Sequence, residues 1–264
     1  MLRRTVRRLV RAFGYDIVRL PSGPVTDGGG QPPLPAGVAL RQPPAIGQID
    51  FGDLRSLQPI SRTFGLNRGT SIFRHYIHEF LQVYRDAITG RILEVAEPRY
   101  ARAFAPSDAK IEVLFPRAGH PDATLVGDLA TGVGVPLEAF DTIILTQVFP
   151  HIYAINAAIG VVYRALKTGG VVLATFPGVA QISRFDMDRW GDYWRVTDLS
   201  ARRLFEEAFS ATSVEVKTYG NQLSAIAAIC GAAAEELSTT ELEYRDPDYP
   251  VLVGVMARKT STSA

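Results

Sequence analysis

Four histidines, one cysteine and a short run of acids and aromatics are the residues of this chain with the most chemistry to offer. His151 follows the apolar run Phe140 to Thr146 and heads a helical segment. A helix N-terminus favours the neutral imidazole, which serves as a general base. A capping or supporting histidine is the alternative. Asp186, Asp188, Trp190, Asp192, Tyr193 and Trp194 fall close together and include both tryptophans of the chain. Carboxylates accept sugar hydroxyls, and aromatic faces stack on sugar C–H surfaces. Asp186, Trp190, Tyr193 and Trp194 are therefore candidates for an acceptor pocket taking a sugar hydroxyl or a polyol, with Asp188 as a second catalytic candidate beside His151. A lid that packs its own aromatics on a sheet is the alternative. Arg68 and Arg74 flank the start of a helix and suit a phosphate or carboxylate; ordinary surface arginines are the alternative. No metal site is expected. His75 and His78 are spaced i, i+3 without the carboxylate motif of a metalloprotease. The lone Cys230 excludes an internal disulfide and a multi-cysteine zinc site, and fits a reducing compartment.

These residues need a scaffold, and the chain is long enough to build one. It has 264 residues, 47% hydrophobic and 21% charged. That is ordinary globular usage, which excludes a wholly disordered or fibrous chain. The net charge is +1, without the basic field of a dedicated nucleic-acid binder. No uncharged apolar stretch reaches the roughly 18 residues of a transmembrane helix, and no signal peptide is evident, so a cytoplasmic protein is expected.

Residues 1–20 carry a basic amphipathic pattern. Leu2, Val6, Leu9, Val10 and Phe13 share one side of a helical wheel, and Arg3, Arg4, Arg7, Arg8 and Arg11 the other. An anionic membrane surface, such as the inner membrane face, is one partner for residues 2–13. The chain's own domain or a second subunit, as in a homodimer, is the other. Residues 21–48 are rich in proline and glycine and read as a linker or extended arm.

From 49 to 264 the pattern is that of one domain, with its core at about 68–259. Apolar residues recur at helical spacing from Ile72 to Tyr84, so a helix with a buried stripe is expected over 70–88. Arg91 to Val95, Lys110 to Leu114, Ala123 to Gly127, Phe140 to Thr146 and Val171 to Phe176 read as strands. So do Ser213 to Thr218 and Val251 to Ala257. Helices are expected over His151 to Leu166, which Gly169-Gly170 would end, and over Leu199 to Phe209 and Leu223 to Leu237. Ser238 and Glu241 have capping-box spacing. Near-continuous apolar strands between helices mark a parallel sheet covered on both faces, which binds ligands at the carboxyl ends of its strands.

The stretch FDTIILTQV from Phe140, the helix ending in Ala165-Leu166-Lys167-Thr168-Gly169-Gly170, and VVLATFP ending at Pro177 resemble the class I S-adenosylmethionine-dependent methyltransferases. The likeness is to the type 11 pattern FDxIxxxxVLxHI…ALxPGG, with Thr168 in place of the proline. It covers about two thirds of the chain. Arg184 to Phe205 resembles a subgroup encoded among bacterial glycan and secondary-metabolite genes. The resemblance implies an α/β fold, a doubly wound, mostly parallel seven-stranded Rossmann-like methyltransferase sheet with an antiparallel last strand. It implies S-adenosylmethionine as cofactor and O- or N-methylation of a small molecule or glycan precursor.

It also assigns the cofactor site. Glu94, Ala96 and Glu97 occupy the first loop, with Glu97 toward the cofactor's ammonium. Glu112 of the second strand is assigned to the ribose, with an edge carboxylate that holds no ligand the alternative, and the apolar run Val113-Leu114-Phe115 to the adenine flank. Asp128 and Leu129 follow the third strand, with a plain capping role the alternative for Asp128. Thr146 and Gln147 follow the fourth. The first loop departs from the family pattern. Where glycines are usual, it reads Glu94-Val95-Ala96-Glu97-Pro98, so alanine there costs energy if its φ is positive. A non-catalytic module that has lost the cofactor is the alternative function.

Overall fold

The computed structural model describes residues 33–36 and 42–261. The amphipathic segment expected over 2–13 lies outside them. The described parts of the 21–48 stretch contain turns but no helix or strand.

Seven strands form one sheet: β1 Arg91–Val95, β2 Lys110–Phe115, β3 Leu125–Val126, β4 Phe140–Thr146, β5 Leu166–Pro177, β6 Val214–Tyr219 and β7 Leu252–Arg258. Their spatial order is β3-β2-β1-β4-β5-β7-β6. β1 to β5 run parallel to one another, and β7 runs antiparallel to both β5 and β6. This is the Rossmann-like methyltransferase sheet that the resemblance implies.

Strand alternation explains the apolar runs. Ile92, Ile144, Val171 and Leu173 face one core, with α1 Ile72–Val83, α2 Arg99–Phe104 and α6 Gln222–Cys230 over them. Leu93, Ile143, Leu145, Val172 and Ala174 face the other, under α3 Ile155–Ala165 and α5 Asp198–Glu206. Each central strand is thus buried on both sides, and no polar residue is needed to break the run. A short helix α4, Arg184–Met187, follows β5, and another, α7 Thr239–Glu243, precedes β7. The α7 capping box forms as the spacing predicts: the Ser238 side chain accepts from the Glu241 amide, and the Ser238 amide donates to Glu241. No helix among the described residues is long and apolar enough to cross a membrane.

Several boundaries differ from the sequence expectation; α1, for one, is Ile72–Val83 rather than 70–88. The helix after β4 starts at Ile155 rather than His151, because Phe149–His151 forms a 3-10 turn around Pro150. The strand after it starts at Leu166 rather than Val171. Gly169 and Gly170 make a bulge inside β5, between the pairs Phe140↔Leu166 and Thr142↔Val171, instead of ending the helix. The helix expected over Leu223 to Leu237 stops at Cys230. Gly231 takes φ 79° there, and a Cβ on it would lie 2.2 Å from the Ser61 carbonyl oxygen.

Chain order reverses between β1 and β4. β1 leads outward to β2 and β3, and β4 leads the other way to β5. The crevice beyond the carboxyl ends of these two strands is the point where such sheets bind ligands.

Candidate functional site

A cleft of about 830 Å³ occupies that point. It is lined by the residues after β1, β2, β3 and β4, and is closed on the outside by α1 and by the segment 177–195. Its size falls in the range of roughly 300–1,000 Å³ typical of small-molecule sites.

The first loop is held from below. Glu94 is buried, and its two carboxylate oxygens accept the backbone N–H groups of Tyr100 (3.1 Å) and Ala101 (2.7 Å) in the first turn of α2. Burial pushes its carboxyl up to about 7, against those two hydrogen bonds. The glutamate thus ties β1 to α2 and sets the path of the loop between them. Ala96 has φ 68°, and its N–H donates to the Leu114 carbonyl at 3.0 Å. The condition raised by the sequence is therefore met: an alanine occupies the left-handed conformation that favours glycine. Glu97 is exposed at the cleft, with the Arg99 guanidinium 3.3 Å away.

The second strand corrects the sequence reading. Glu112 is the third residue of β2 and opposes Leu93 in register, away from the strand's carboxyl end. Arg91 binds both its oxygens at 3.0 Å, and Lys110 approaches to 2.8 Å. It does not line the cleft, and its oxygens are taken by these two cations, so it is not placed to accept ribose hydroxyls there. Val113 is buried in the sheet and also lies outside the cleft lining. Leu114 and Phe115, the rest of that apolar run, line it together with Pro116. Phe115 stacks on His120 with centroids 4.2 Å apart and meets Trp190 edge-on at 5.9 Å. An Glu112→Ala variant is accordingly expected to keep the wild-type affinity for a nucleoside ligand in this cleft while losing the Arg91 and Lys110 pairs. Calorimetric titration checks the first outcome and thermal melting the second.

Asp128 and Leu129 line the wall after β3. Asp128 accepts the Ala130 N–H at 2.8 Å and the Thr131 hydroxyl at 3.0 Å, so it caps its own turn on the cleft wall. Thr146 and Gln147 line the wall after β4. Gln147 has φ 58°, and its backbone N–H donates to the Thr175 carbonyl at 3.1 Å.

His151 lines the cleft from the 3-10 turn, so the helix-terminus argument for its basicity does not apply. A different one does. Its Nδ1 is 2.8 Å from the Gly191 carbonyl oxygen, which only accepts, so Nδ1 carries the proton. Nε2 of the neutral ring then holds a free lone pair. It lies 3.9 Å from a carboxylate oxygen of Asp186, which also accepts the Ser183 hydroxyl. Tyr193 and Trp190 also line the cleft, and the Trp190 ring lies against Phe115 and the Arg117 guanidinium.

Asp188 and Trp194 do not join them. Asp188 is exposed just past α4. Trp194 turns its indole N–H to the Ile152 carbonyl at 3.1 Å and stacks on Tyr153, so it packs the segment against the domain. Asp192, of the same acidic and aromatic run, and Arg195, which no sequence pattern marks, both line the cleft. The Arg195 guanidinium grips Asp192 at 2.7 and 2.9 Å, and the Ser183 N–H adds a third bond. Burial alone would raise the Asp192 carboxyl, but these partners hold it below its ordinary value. Of the two arginines beside α1, Arg68 pairs with Glu236, whereas Arg74 lines the cleft. No cluster of three or more metal-ligating side chains occurs among the described residues.

No family model and no curated protein matches the chain. Solved structures do. A SAM-dependent methyltransferase from Archaeoglobus fulgidus is similar at 10% identity, over 70% of this chain and 94% of that one, with a TM-score of 0.46. One from Thermotoga maritima is similar at 18% identity, over 72% and 91%, with a TM-score of 0.45. A phosphoethanolamine N-methyltransferase of Haemonchus contortus is similar at 14% identity, with a TM-score of 0.47. That match covers 70% of this chain and 53% of the other. At these identities the likeness concerns the fold alone.

Proposed function

We propose that this chain is an S-adenosylmethionine-dependent methyltransferase acting on a hydroxyl of a small-molecule acceptor, with a glycan precursor as the favoured class. The observation that carries the reading is the cleft at the β1/β4 reversal, bounded by the loops after four parallel strands. Its donor set suits the cofactor. Glu97 offers a carboxylate to an ammonium group, Leu114, Phe115 and Leu129 offer apolar flanks to an adenine, and Asp128 offers an acceptor to its amino group. The carboxylates around the cleft also suit a cationic sulfonium.

The cofactor supplies an activated methyl group on that sulfonium, so positioning of the acceptor dominates the chemistry. A hydroxyl acceptor also needs somewhere to put its proton. His151 Nε2 provides that place: Gly191 fixes the tautomer and Asp186 stands by to stabilise the imidazolium. Tyr193, whose N–H donates to the Pro150 carbonyl next to His151, supplies an aromatic face for the acceptor.

Binding is tested by thermal melting with S-adenosylhomocysteine. Ligand at a hundred times its dissociation constant adds about 2.7 kcal/mol. No shift at millimolar ligand contradicts the reading. A His151→Asn variant is expected to keep cofactor affinity and lose about 100-fold or more in methyl transfer to a hydroxyl acceptor, the usual scale for a general base. Equal turnover by the variant would remove His151 from the chemistry.

A further inference from the structure

The segment from Gln181 to Arg195 is tied at its neck and again at its tip. At the neck, the Arg195 guanidinium donates to both carboxylate oxygens of Asp192 at 2.7 and 2.9 Å, to the Gln181 carbonyl at 2.7 Å and to the Trp194 carbonyl at 3.0 Å. The Ser183 N–H donates to the same carboxylate at 2.9 Å. The Asp192 side chain is 3% exposed, so this is a buried ion pair with both carboxylate oxygens engaged. Such a pair is weak evidence of stability, and its best-attested use is to fix one geometry. At the tip, the residues on either side of Asp192 hold the turn that carries His151. The Gly191 carbonyl accepts from His151 Nδ1 at 2.8 Å, and the Tyr193 N–H donates to the Pro150 carbonyl at 2.9 Å. Gly191 has φ 96°, and a Cβ on it would lie 2.2 Å from the Tyr193 ring, so this turn requires glycine.

The two ring nitrogens of His151 face different acceptors. Nδ1 faces the Gly191 carbonyl. Nε2 faces a carboxylate oxygen of Asp186 at 3.9 Å, beyond hydrogen-bond distance. That same oxygen accepts the Ser183 hydroxyl, and the Asp186 N–H donates to Ser183 Oγ at 3.3 Å. A carboxylate is a stronger acceptor than a backbone carbonyl. An Asp186 free to approach would therefore draw the proton to Nε2 and take away the lone pair there. Ser183 keeps that oxygen occupied, and Ser183 is itself placed by Asp192.

We propose that Asp192 and Arg195 are positioning residues that decide which nitrogen of His151 carries the proton. Through Gly191 they hold an acceptor at Nδ1, and through Ser183 they hold Asp186 off Nε2. The inference rests on the reading of His151 as the group that takes the acceptor's proton, because only the Nδ1–H form leaves Nε2 able to do so.

The test is ring-nitrogen NMR of the full chain carrying isotope-labelled histidine, at about pH 8, where an ordinary imidazole is neutral. It needs neither cofactor nor acceptor. The chain has four histidines, and a His151→Asn variant identifies the His151 signal. The wild type is expected to show the proton on Nδ1. Asp192→Ala and Arg195→Gln are expected to move the tautomer ratio about twofold to tenfold toward Nε2–H, the scale of one neutral hydrogen bond. Ser183→Ala moves it in the same direction. Arg195→Lys, which keeps the charge without the fork, moves it less than Arg195→Gln. Unchanged signals from His75 and His78 on α1 report an intact fold. Where Arg195→Gln does not fold because Asp192 is left buried without its cation, the Arg195→Gln/Asp192→Asn double variant carries the same test with both charges removed. A wild type with its proton on Nε2, or folded variants that keep the wild-type ratio, overturn the proposal. If the ratio moves as expected while His151→Asn retains full turnover, the positioning stands, and the assignment of His151 as proton acceptor is what fails.

Discussion

An Ala96→Val variant is expected to bind S-adenosylhomocysteine at least tenfold more weakly than the wild type, and an Ala96→Gly variant more tightly. The argument rests on one dihedral. Ala96 has φ 68°, between the half-buried Val95, which pairs with the buried Leu114, and the exposed Glu97. A non-glycine residue there carries strain of about 1–3 kcal/mol, and a β-branched side chain carries more. The valine methyls would also project from a residue that lines the cleft. Glycine relieves the strain, so Ala96→Gly should melt higher, by about 2–4 °C for each kcal/mol recovered in a domain of this size. Calorimetry and melting together check both signs. A valine variant with wild-type affinity would mean that the ligand does not approach this backbone.

Loss of Glu94 should have the larger effect on stability. In Glu94→Ala, two N–H groups in the first turn of α2 lose their acceptors, one of them fully buried at Ala101. Each orphaned amide costs about 1–3 kcal/mol, so a loss of roughly 2–6 kcal/mol is expected. The melting temperature should fall by more than ten degrees near the upper end of that range, with cofactor affinity falling too because the first loop loses its anchor. The wild type also carries a pH signature. The folded-state pKa of Glu94 is about 7, above the ordinary 4.5, so the folded chain binds this proton more tightly than the unfolded one. Its contribution to stability is therefore greatest below 4.5 and is lost as pH rises through about 7, with a span on the order of 3 kcal/mol. A Glu94→Gln variant should lack that slope. Parallel melting curves for the wild type and the glutamine variant between pH 5 and 8 would show that Glu94 does not titrate there.

What could be read in the sequence was whatever burial on both faces writes into residue type. Arg91 to Val95 and Phe140 to Thr146 are near-continuous apolar runs because they lie at the centre of the sheet, and both strands have the boundaries expected. The capping box at Ser238 was legible because its two side chains act only on local amides. The positions of ligand-facing side chains were less legible. Glu112 looked suitable because it lies in the second strand, but only the register Leu93↔Glu112 reveals that it is short of the strand's end and flanked by Arg91 and Lys110. Trp194 was chosen for its type, and no local pattern indicates that its indole N–H would turn to Ile152, 42 residues away. Pro150 was a visible signal that the helix could not begin cleanly at His151. Gly231 was an equally visible stop signal for the helix that precedes it. Arg68 and Arg74 were legible only as a pair, and no local pattern tells that the first would turn to Glu236 while the second lines the cleft.

The most direct measurement is a crystal structure of the full chain grown with millimolar S-adenosylhomocysteine. The account predicts density for one molecule between the first loop at Ala96 and the turn at Gln147, with its adenine against Phe115 and Leu129. A structure at that concentration whose cleft holds no nucleoside, or whose nucleoside binds elsewhere on the surface, would contradict it.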